Sequence, residues 1–167
     1  MSDRLTVRPA RPDELDQVGR LTFEVYVADG HANPEGSYAA ALADAPRRAR
    51  DAELLVAVDA AGMLLGTITV CLPGSPLRNV SRTGELELRM LAVDLGARRR
   101  GVGQALVTAV LKRATEIGAH RVVLSSAEDM YAAHRLYARL GFSRMPERDW
   151  QPAPGATLLV FGATVTC

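Results

Sequence analysis

The spacing of apolar and polar residues changes several times along the chain, and each spacing predicts one secondary-structure element. Short runs that alternate, or that are wholly apolar, predict strands, whereas apolar residues three and four apart predict amphipathic helices. Strands are predicted at residues 5–8, 54–58, 64–70, 86–93, 121–125, 142–147 and 157–164. Helices are predicted at residues 12–25, 38–49, 102–117 and 128–140.

The order of these elements is β-α-α-β-β-β-α-β-α-β-β. It predicts a protein of the α/β (α+β) class, with a mixed central sheet of about seven strands flanked by about four helices. Because a helix joins the fourth strand to the fifth, these two strands should be parallel, with a right-handed crossover. The 167 residues show no internal repeat and no low-complexity stretch, so we expect one domain over residues 1–167.

Composition excludes several classes of protein. A chain that is 48% hydrophobic and 23% charged is not expected to be disordered. No apolar run approaches the roughly 18 residues of a membrane span, and residues 1–4 do not resemble a secretory leader. The two cysteines, Cys71 and Cys167, lack the spacing of metal ligands. We therefore expect no disulfide framework, no metal and a reducing, cytoplasmic location.

The charge is nearly balanced overall but concentrated locally. Twenty basic and nineteen acidic residues give a net charge of +1, so neither a nucleic-acid partner nor a membrane partner is expected. Residues 98–113 nevertheless contain five basic residues and no acid, namely Arg98, Arg99, Arg100, Lys112 and Arg113. The basic charge is thus concentrated within residues 98–113, with three arginines in the loop before the 102–117 helix.

That loop, RRRGVGQ at residues 98–104, has the features of a phosphate site. The first N–H groups of a helix lack internal partners and carry partial positive charge. Glycines allow a phosphate to approach the backbone, and arginines add charge. The loop therefore predicts a ligand that carries a diphosphate; the alternative is a tight turn with a solvated basic cluster. Neither a P-loop nor a dinucleotide fingerprint fits, because Gly-Lys-Ser/Thr is absent and Leu106 replaces the third small residue.

Two motifs resemble those of the GNAT superfamily of N-acetyltransferases. The pattern RxxGxG at residues 98–103, placed after Leu91–Ala92–Val93, resembles its acetyl-CoA signature. The pattern AxxLYxxxGF at residues 133–142 resembles its C-terminal motif. The resemblance implies a GNAT fold, in which strands 4 and 5 splay apart to form the CoA cleft. It also implies acetyl-CoA as the acyl donor, with no metal.

The resemblance implies roles for individual residues. The N–H of Leu91 would polarise the thioester carbonyl, and the main chain at residues 92–93 would pair with the pantetheine arm. The amides of residues 99–104 would hold the pyrophosphate, and Ser125 and Ser126 would line the other side of the cleft. The implied donor-binding residues are Leu91, Ala92, Val93, Arg98, Arg99, Arg100, Gly101, Val102, Gly103, Gln104, Ser125 and Ser126. Met130 departs from the family, which often has asparagine there, so hydrogen bonding to the arm is weaker or supplied elsewhere.

Three residues are candidates for the chemistry. Tyr137 matches the family tyrosine whose hydroxyl lies near the CoA sulfur; the alternative is an ordinary core tyrosine. Glu87 matches a glutamate that serves as base in some members, and Glu85 is the second candidate. A base or a water wire is useful because an amine of pKa near 10.4 is charged at pH 7. The alternative for both glutamates is an exposed strand face beside Arg89.

Three further residues carry weaker expectations. His134 is expected in solvent, and His31 lies in the loop where an acceptor could bind. Trp150 either covers the site or packs at the surface.

The sequence therefore predicts an acetyl-CoA-dependent N-acetyltransferase. The acceptor would be a primary amine of a small molecule or peptide, attacking directly in a ternary complex. An acetyl-cysteine route is disfavoured because neither cysteine falls in a motif. The alternative function is a non-catalytic module that binds or senses CoA, while net charge disfavours a nucleic-acid binder. The family resemblance also allows a homodimer through the last strands.

Overall fold

Eight strands form one sheet in the computed structural model, which describes residues 4–165. The sheet order is β1-β2-β3-β4-β5-β8-β6, and β7 pairs with β8. The strands are β1 (Thr6–Pro9), β2 (Glu53–Val58), β3 (Leu64–Cys71), β4 (Glu85–Val93), β5 (Arg121–Ala127), β6 (Ser143–Arg144), β7 (Trp150–Ala153) and β8 (Ala156–Thr164). Expectations that concern residues 1–3 and Cys167 lie outside the described residues.

The predicted mixed sheet flanked by helices is confirmed, with β4 and β5 as the parallel pair. The helices are α1 (Leu15–Ala28), α2 (Ser37–Ala43), α3 (Ala45–Asp51), α4 (Val102–Ile117) and α5 (Tyr131–Arg139). Within residues 4–165, none of the helices combines the length and apolar character that crossing a bilayer requires.

The single helix predicted at residues 38–49 is wrong, because the chain breaks between α2 and α3. Pro46 has no N–H to donate to the carbonyl of Leu42, and its ring would clash with that carbonyl. Asp44 caps the new helix by accepting a hydrogen bond from the N–H of Arg47. The carbonyl that Pro46 leaves free accepts a hydrogen bond of 2.7 Å from Arg48 Nη2.

The C-terminal elements also differ from the prediction. The strand predicted at 142–147 contains only Ser143–Arg144, because Pro146 begins a 3₁₀ turn over Pro146–Arg148. β7 was not predicted, and Pro152 lies on it at an edge of the sheet, where a missing donor is tolerated. Helix α5 begins at Tyr131, after a turn in which the N–H of Met130 bonds to the carbonyl of Ala127.

Two apolar cores lie on opposite faces of the sheet. One joins the sheet to α4 and α5 and contains Leu106 and Tyr137. The other joins it to α1–α3 and contains Val18 and Leu42. Burial of both faces provides the main stabilisation of the fold, and it leaves β4 and β5 in the centre of the molecule.

Candidate active site

β4 and β5 are paired at their beginnings and separate towards their ends. Glu85–Glu87 pair with Arg121–Val123, whereas the remainder of β4 pairs with β3 and the remainder of β5 with β8. At Met90 the backbone φ is +54°, and the register with β3 shifts. A bulge of this kind bends a strand and changes which face its side chains occupy. The edge of residues 88–93 that faces β5 therefore presents peptide groups that an extended ligand could pair with.

The bulge changes the side-chain pattern of β4. Leu86 and Leu88 pack in the core beside α4, whereas Met90 and Ala92 pack in the core beside α1. The strict alternation through Met90 that the sequence suggested is therefore wrong. One extra residue in the strand reverses the alternation beyond it.

The segment between β4 and α4 contains most of the loop at residues 98–104, for which a phosphate site is predicted. Arg99 has a left-handed φ of +67°, and Gly101, which precedes α4, has a φ of +78°. Arg99 and Met90 are the non-glycine residues with positive φ in the described range. Such conformations are costly and gather at functional sites. The N–H groups of residues 102–104, in the first turn of α4, have no acceptor within the helix.

Gly103 marks the point where three elements meet. A Cβ atom on Gly103 would lie 3.1 Å from Leu136 Cδ2 on α5 and 3.8 Å from Val93 Cγ2 on β4. An alanine would need only a small shift of the Leu136 side chain, whereas a larger side chain would push α4 away from the open end of the gap. The glycine keeps the first-turn amides next to the free edge of β4.

The arginine cluster before α4 is mostly exposed, with Arg100 half-buried. Arg98 Nη2 lies 2.6 Å from Asp29 Oδ2 at the end of α1. This pair connects the phosphate loop to the loop between α1 and α2.

A cavity of about 770 Å³ opens on the α1 side of the sheet and reaches the gap between β4 and β5. Its walls come from α1, α2, β4, the end of β5 and the β7–β8 hairpin. Its polar and aromatic lining includes Tyr26, His31, Tyr38, Glu87, Arg89 and Trp150. An acceptor in this cavity and a donor along β4 could meet at the bulge.

Glu87 lies in the wall of this cavity and is fully buried. Its Oε1 atom accepts hydrogen bonds of 2.9–3.0 Å from the N–H groups of Asn79, Val80 and Ser81. Three N–H donors thus converge on one carboxylate oxygen and fix the orientation of the side chain. Its Oε2 atom has no hydrogen-bond partner among residues 4–165. The alternative interpretation of Glu87, an exposed strand face, is therefore wrong.

Glu85 is also buried, but it belongs to an ion-pair cluster. Arg148 donates to both carboxylate oxygens at 2.7 and 2.9 Å, and Arg121 donates at 3.1 Å. The N–H of Arg82 adds a fourth hydrogen bond of 2.9 Å. Burial would raise the pKa of Glu85, but the hydrogen bonds from Arg148 and Arg82 outweigh it and lower the pKa to about 2. Glu85 is thus occupied by internal partners, and it does not line the cavity.

Tyr137 lies in the core beside α4, and the lining of the cavity does not include it. Its ring centroid is 5.6 Å from that of Phe142 and 6.1 Å from that of Phe161. Burial raises the pKa of Tyr137 above its usual range. Burial also raises the pKa of Tyr26, and the nearby phenols of Tyr38 and Tyr137 add to that effect. Tyr137 and Tyr26 therefore belong to the two cores on opposite faces of the sheet.

The end of β5 forms a second wall of the cavity. Ser125 Oγ accepts a hydrogen bond of 3.0 Å from Trp150 Nε1, so Trp150 lines the cavity rather than packing elsewhere. Ser126 Oγ lies 3.4 Å from Met130 Sδ. Ser126 therefore contacts a thioether, where the asparagine frequent in the family would offer an amide. His134, expected in solvent, is half-buried, with Nε2 at 3.1 Å from Ser126 Oγ. Burial lowers the pKa of His134.

Tyr26, Tyr38 and Arg89 line the cavity although sequence reasoning did not select them as site residues. Arg89 could have been found from its position two residues after Glu87, on the same face of a strand. The two tyrosines carry no comparable local signal, because α1 and α2 reach the cavity only through tertiary packing.

The two remaining kinds of site to consider among the described residues are a metal centre and a reactive thiol. Across residues 4–165, no three His, Cys, Asp or Glu side chains are grouped as metal ligands. Cys71 is buried, and burial raises the pKa of its thiol to about 11.

Comparison with known proteins identifies relatives of this architecture. The N-acetyltransferase family 8 member 3 of Rattus norvegicus is 37% identical over 86 residues, which are 52% of this chain and 36% of that protein. The N-acetylaspartate synthetase of Homo sapiens is 38% identical over 73 residues, 44% of this chain and 24% of that protein. The chain thus spans about a third or less of the length of these relatives.

The solved structures show the same fold. A phosphinothricin acetyltransferase from Sinorhizobium meliloti, in complex with acetyl-CoA, has a TM-score of 0.71 at 20% identity, covering 99% of this chain and 89% of that chain. The family model of the acetyltransferase (GNAT) family matches residues 20–142. Since that match covers most of the sequence, the chain belongs to the acetyltransferase (GNAT) family.

Proposed function

We propose that this protein is an acetyl-CoA-dependent N-acetyltransferase that acts on a primary amine by direct attack. The observation that carries the proposal is the unpaired edge of β4, which lies beside the first-turn amides of α4 and opens towards a separate cavity. One ligand can lie along the strand edge while a second enters from the other side of the sheet. This arrangement suits a ternary complex.

The residues on the donor side fit acetyl-CoA. Peptide groups of Leu91, Ala92 and Val93 would pair with the pantetheine arm, as in the addition of a strand to a sheet. Amides of residues 99–104 and the arginines before them would hold the pyrophosphate. When bound, acetyl-CoA supplies an acetyl thioester, from which an unprotonated amine displaces the thiol to form an amide. The crowding that a Cβ on Gly103 would cause supports a close approach at this point.

The chain's own groups would manage the protons. We assign to Glu87 the acceptance of the amine proton, directly or through water. Glu87 lines the cavity, and its Oε2 atom has no hydrogen-bond partner within residues 4–165. Glu85 is the weaker candidate, since Arg148 and Arg121 already hold its carboxylate. We assign to Tyr137 a hydrogen bond or proton donated to the leaving sulfur, because it occupies the tyrosine position of the AxxLYxxxGF motif and follows Leu136, which lies against Gly103.

The names of the relatives support an N-acetyltransferase in general. One is named an N-acetylaspartate synthetase and another belongs to N-acetyltransferase family 8. The cytoplasmic location and the homodimer stay predictions from the sequence.

Release of free thiol from acetyl-CoA, measured against a panel of amines, tests the proposal. We expect release that depends on both the amine and the folded protein, together with a rise in Tm when acetyl-CoA is added. A rise in Tm without turnover on any amine would instead indicate a module that binds CoA without catalysis. No rise in Tm at saturating acetyl-CoA would contradict the proposal altogether.

A further inference from the structure

The guanidinium group of Arg89 lines the cavity, and that of Arg48 is buried nearby, bonded to Thr69 on the strand that pairs with Arg89. Arg48 is 2% exposed and bonds to the hydroxyls of Thr69 and Thr22 and to the carbonyl of Leu42. Its Nε atom has no partner within residues 4–165. Arg89 lines the cavity and donates a hydrogen bond of 2.9 Å to the carbonyl of Leu77. In the described part of the chain, neither side chain pairs with a carboxylate.

The two guanidinium groups lie on neighbouring strands, because Arg48 bonds to Thr69 and Thr69 pairs with Arg89, which lines the cavity together with Tyr38. Burial, and to a smaller extent the charge of Arg89, lowers the pKa of Arg48 to about 10. Burial raises the pKa of Tyr38, and the charge of Arg89 opposes that rise. The part of the cavity near Arg89 and Tyr38 is therefore positively charged, and only partly screened by solvent.

Glu87 places a carboxyl group two residues away on the same strand. Its carboxylate binds the N–H groups of residues 79–81, and Arg89 binds the carbonyl of Leu77 just before them. The carboxyl group of Glu87 and the guanidinium group of Arg89 thus both contact residues 77–81, but they do not form an ion pair with each other within the described structure. Glu87 Oε2 is left unpartnered, and Arg89 keeps donors that Leu77 does not use.

We propose that the acceptor is a small free amino acid or a similar zwitterion, whose carboxylate is bound by Arg89 and Tyr38 while its amine lies beside Glu87. The inference rests on the proposed acetyl transfer and specifies its substrate class. An arginine fork matches the geometry of a carboxylate, and burial strengthens such a charge-assisted pair. One carbon separates the amine from the carboxylate in an amino acid. This short separation suits Glu87 and Arg89, which are two residues apart on one face of β4.

A different acceptor would use different residues. Glu128 and Asp129 are exposed at the rim of the cavity and would favour a second positive charge there, as in a polyamine. A polyamine, however, would have to place an ammonium group near Arg89. The positive charge of half-buried Arg89 therefore favours an amino acid.

Thiol release with matched substrates tests this inference. Free L-amino acids with small, acidic and aromatic side chains are compared with their carboxamides, and spermidine represents the polyamines. We expect kcat/KM of the preferred amino acid to exceed that of its amide by at least about tenfold. The amine of the amide is the less basic of the two, so more of it is unprotonated at neutral pH. A preference for the acid would therefore report recognition of the carboxylate.

Variants locate that recognition. Arg89→Gln should lower kcat/KM for the amino acid roughly 10- to 150-fold, mainly through KM, while the value for the amide changes less than about threefold. Arg89→Lys keeps the charge without the fork and should retain part of the preference. Arg82→Gln removes an exposed arginine from the same region and should change neither value. An unchanged rise in Tm with acetyl-CoA shows that each variant is folded.

The outcomes separate the two proposals. Equal or better use of amides or spermidine by the wild type would overturn the amino-acid inference and leave acetyl transfer standing. So would an undiminished preference in folded Arg89→Gln. If Arg89→Gln does not fold, Arg89→Lys decides, and an unchanged KM in that variant would count against the inference. Failure of the wild type to release thiol with any amine would overturn the proposed function, and this inference with it.

Discussion

Replacing Glu85 with glutamine should lower the free energy of unfolding by about 3 kcal/mol at pH 7, and this difference should shrink in acid. The carboxylate is 1% exposed and is held by Arg148, Arg121 and the N–H of Arg82. These contacts lower its pKa from 4.5 to about 2 in the folded protein. Since each pKa unit corresponds to about 1.4 kcal/mol, the shift gives the stated magnitude.

The sign of the pH dependence follows from the direction of the shift. A carboxylate whose pKa is lowered by folding contributes its full stabilisation above the unfolded value of 4.5, and loses it as the pH falls towards 2. At pH 3 about 1.4 kcal/mol of the contribution should remain. Glutamine cannot titrate, so the gap between wild type and Glu85→Gln should narrow over this interval. At pH 7 the variant should also melt about 6–12 °C lower.

Urea unfolding at several pH values between 7 and 2.5 measures this gap. The fluorescence of Trp150, the chain's single tryptophan, and circular dichroism should report the same transition. Glu53→Gln is the matched control: its two-pronged pair with Arg113, at 2.8 and 2.9 Å, is partly exposed. It should cost less than about 1 kcal/mol. If the free energy of unfolding of wild type and Glu85→Gln had the same pH dependence, the reasoning would be refuted. A loss of kcat in folded Glu85→Gln would indicate that Glu85 takes part in catalysis.

Three further predictions concern the site. Glu87→Gln keeps an oxygen for the N–H groups of residues 79–81, so the rise in Tm with acetyl-CoA should be unchanged. Its kcat should fall roughly 10²-fold, and activity within about twofold of wild type would exclude Glu87 as base. Tyr137→Phe should lower kcat roughly 10- to 100-fold at an unchanged Tm, whereas normal kcat in a destabilised protein would show that the hydroxyl only serves packing. Acetyl-CoA at about 100 times its Kd should raise the wild-type Tm by about 5–10 °C, and Gly103→Asp should abolish the rise while Gly103→Ala retains most of it. A full rise in Gly103→Asp would move the pyrophosphate away from α4.

The sequence determined the elements around the donor site because the signals are local. The period of apolar residues changes from two to about 3.6 between β4 and α4, and a glycine-containing loop lies at that change. A strand, a crossover helix and a second strand leave only a parallel pairing of β4 with β5. The break at Pro46 was also available locally, since proline cannot donate the hydrogen bond that a continuous helix would need.

The bulge at Met90 was not available from the pattern. Leu86, Leu88 and Met90 read as one alternating set, but an extra residue in β4 moves Met90 and Ala92 to the other face. A bulge depends on how β4 pairs with β3 and on what fills each side of the sheet. The apolar pattern describes which residues are buried, and it does not specify which of two buried faces they join.

The partners of the charged residues were decided only by the tertiary structure. Glu85 and Glu87 stand two apart on one strand and look equivalent in sequence. One binds Arg148, which is 63 positions away, and the other binds the backbone of the preceding loop. Arg98 similarly meets Asp29 across 69 positions. The protonation and function of such groups depend on the charges and donors within a few ångströms of them, and only the folded chain brings those together.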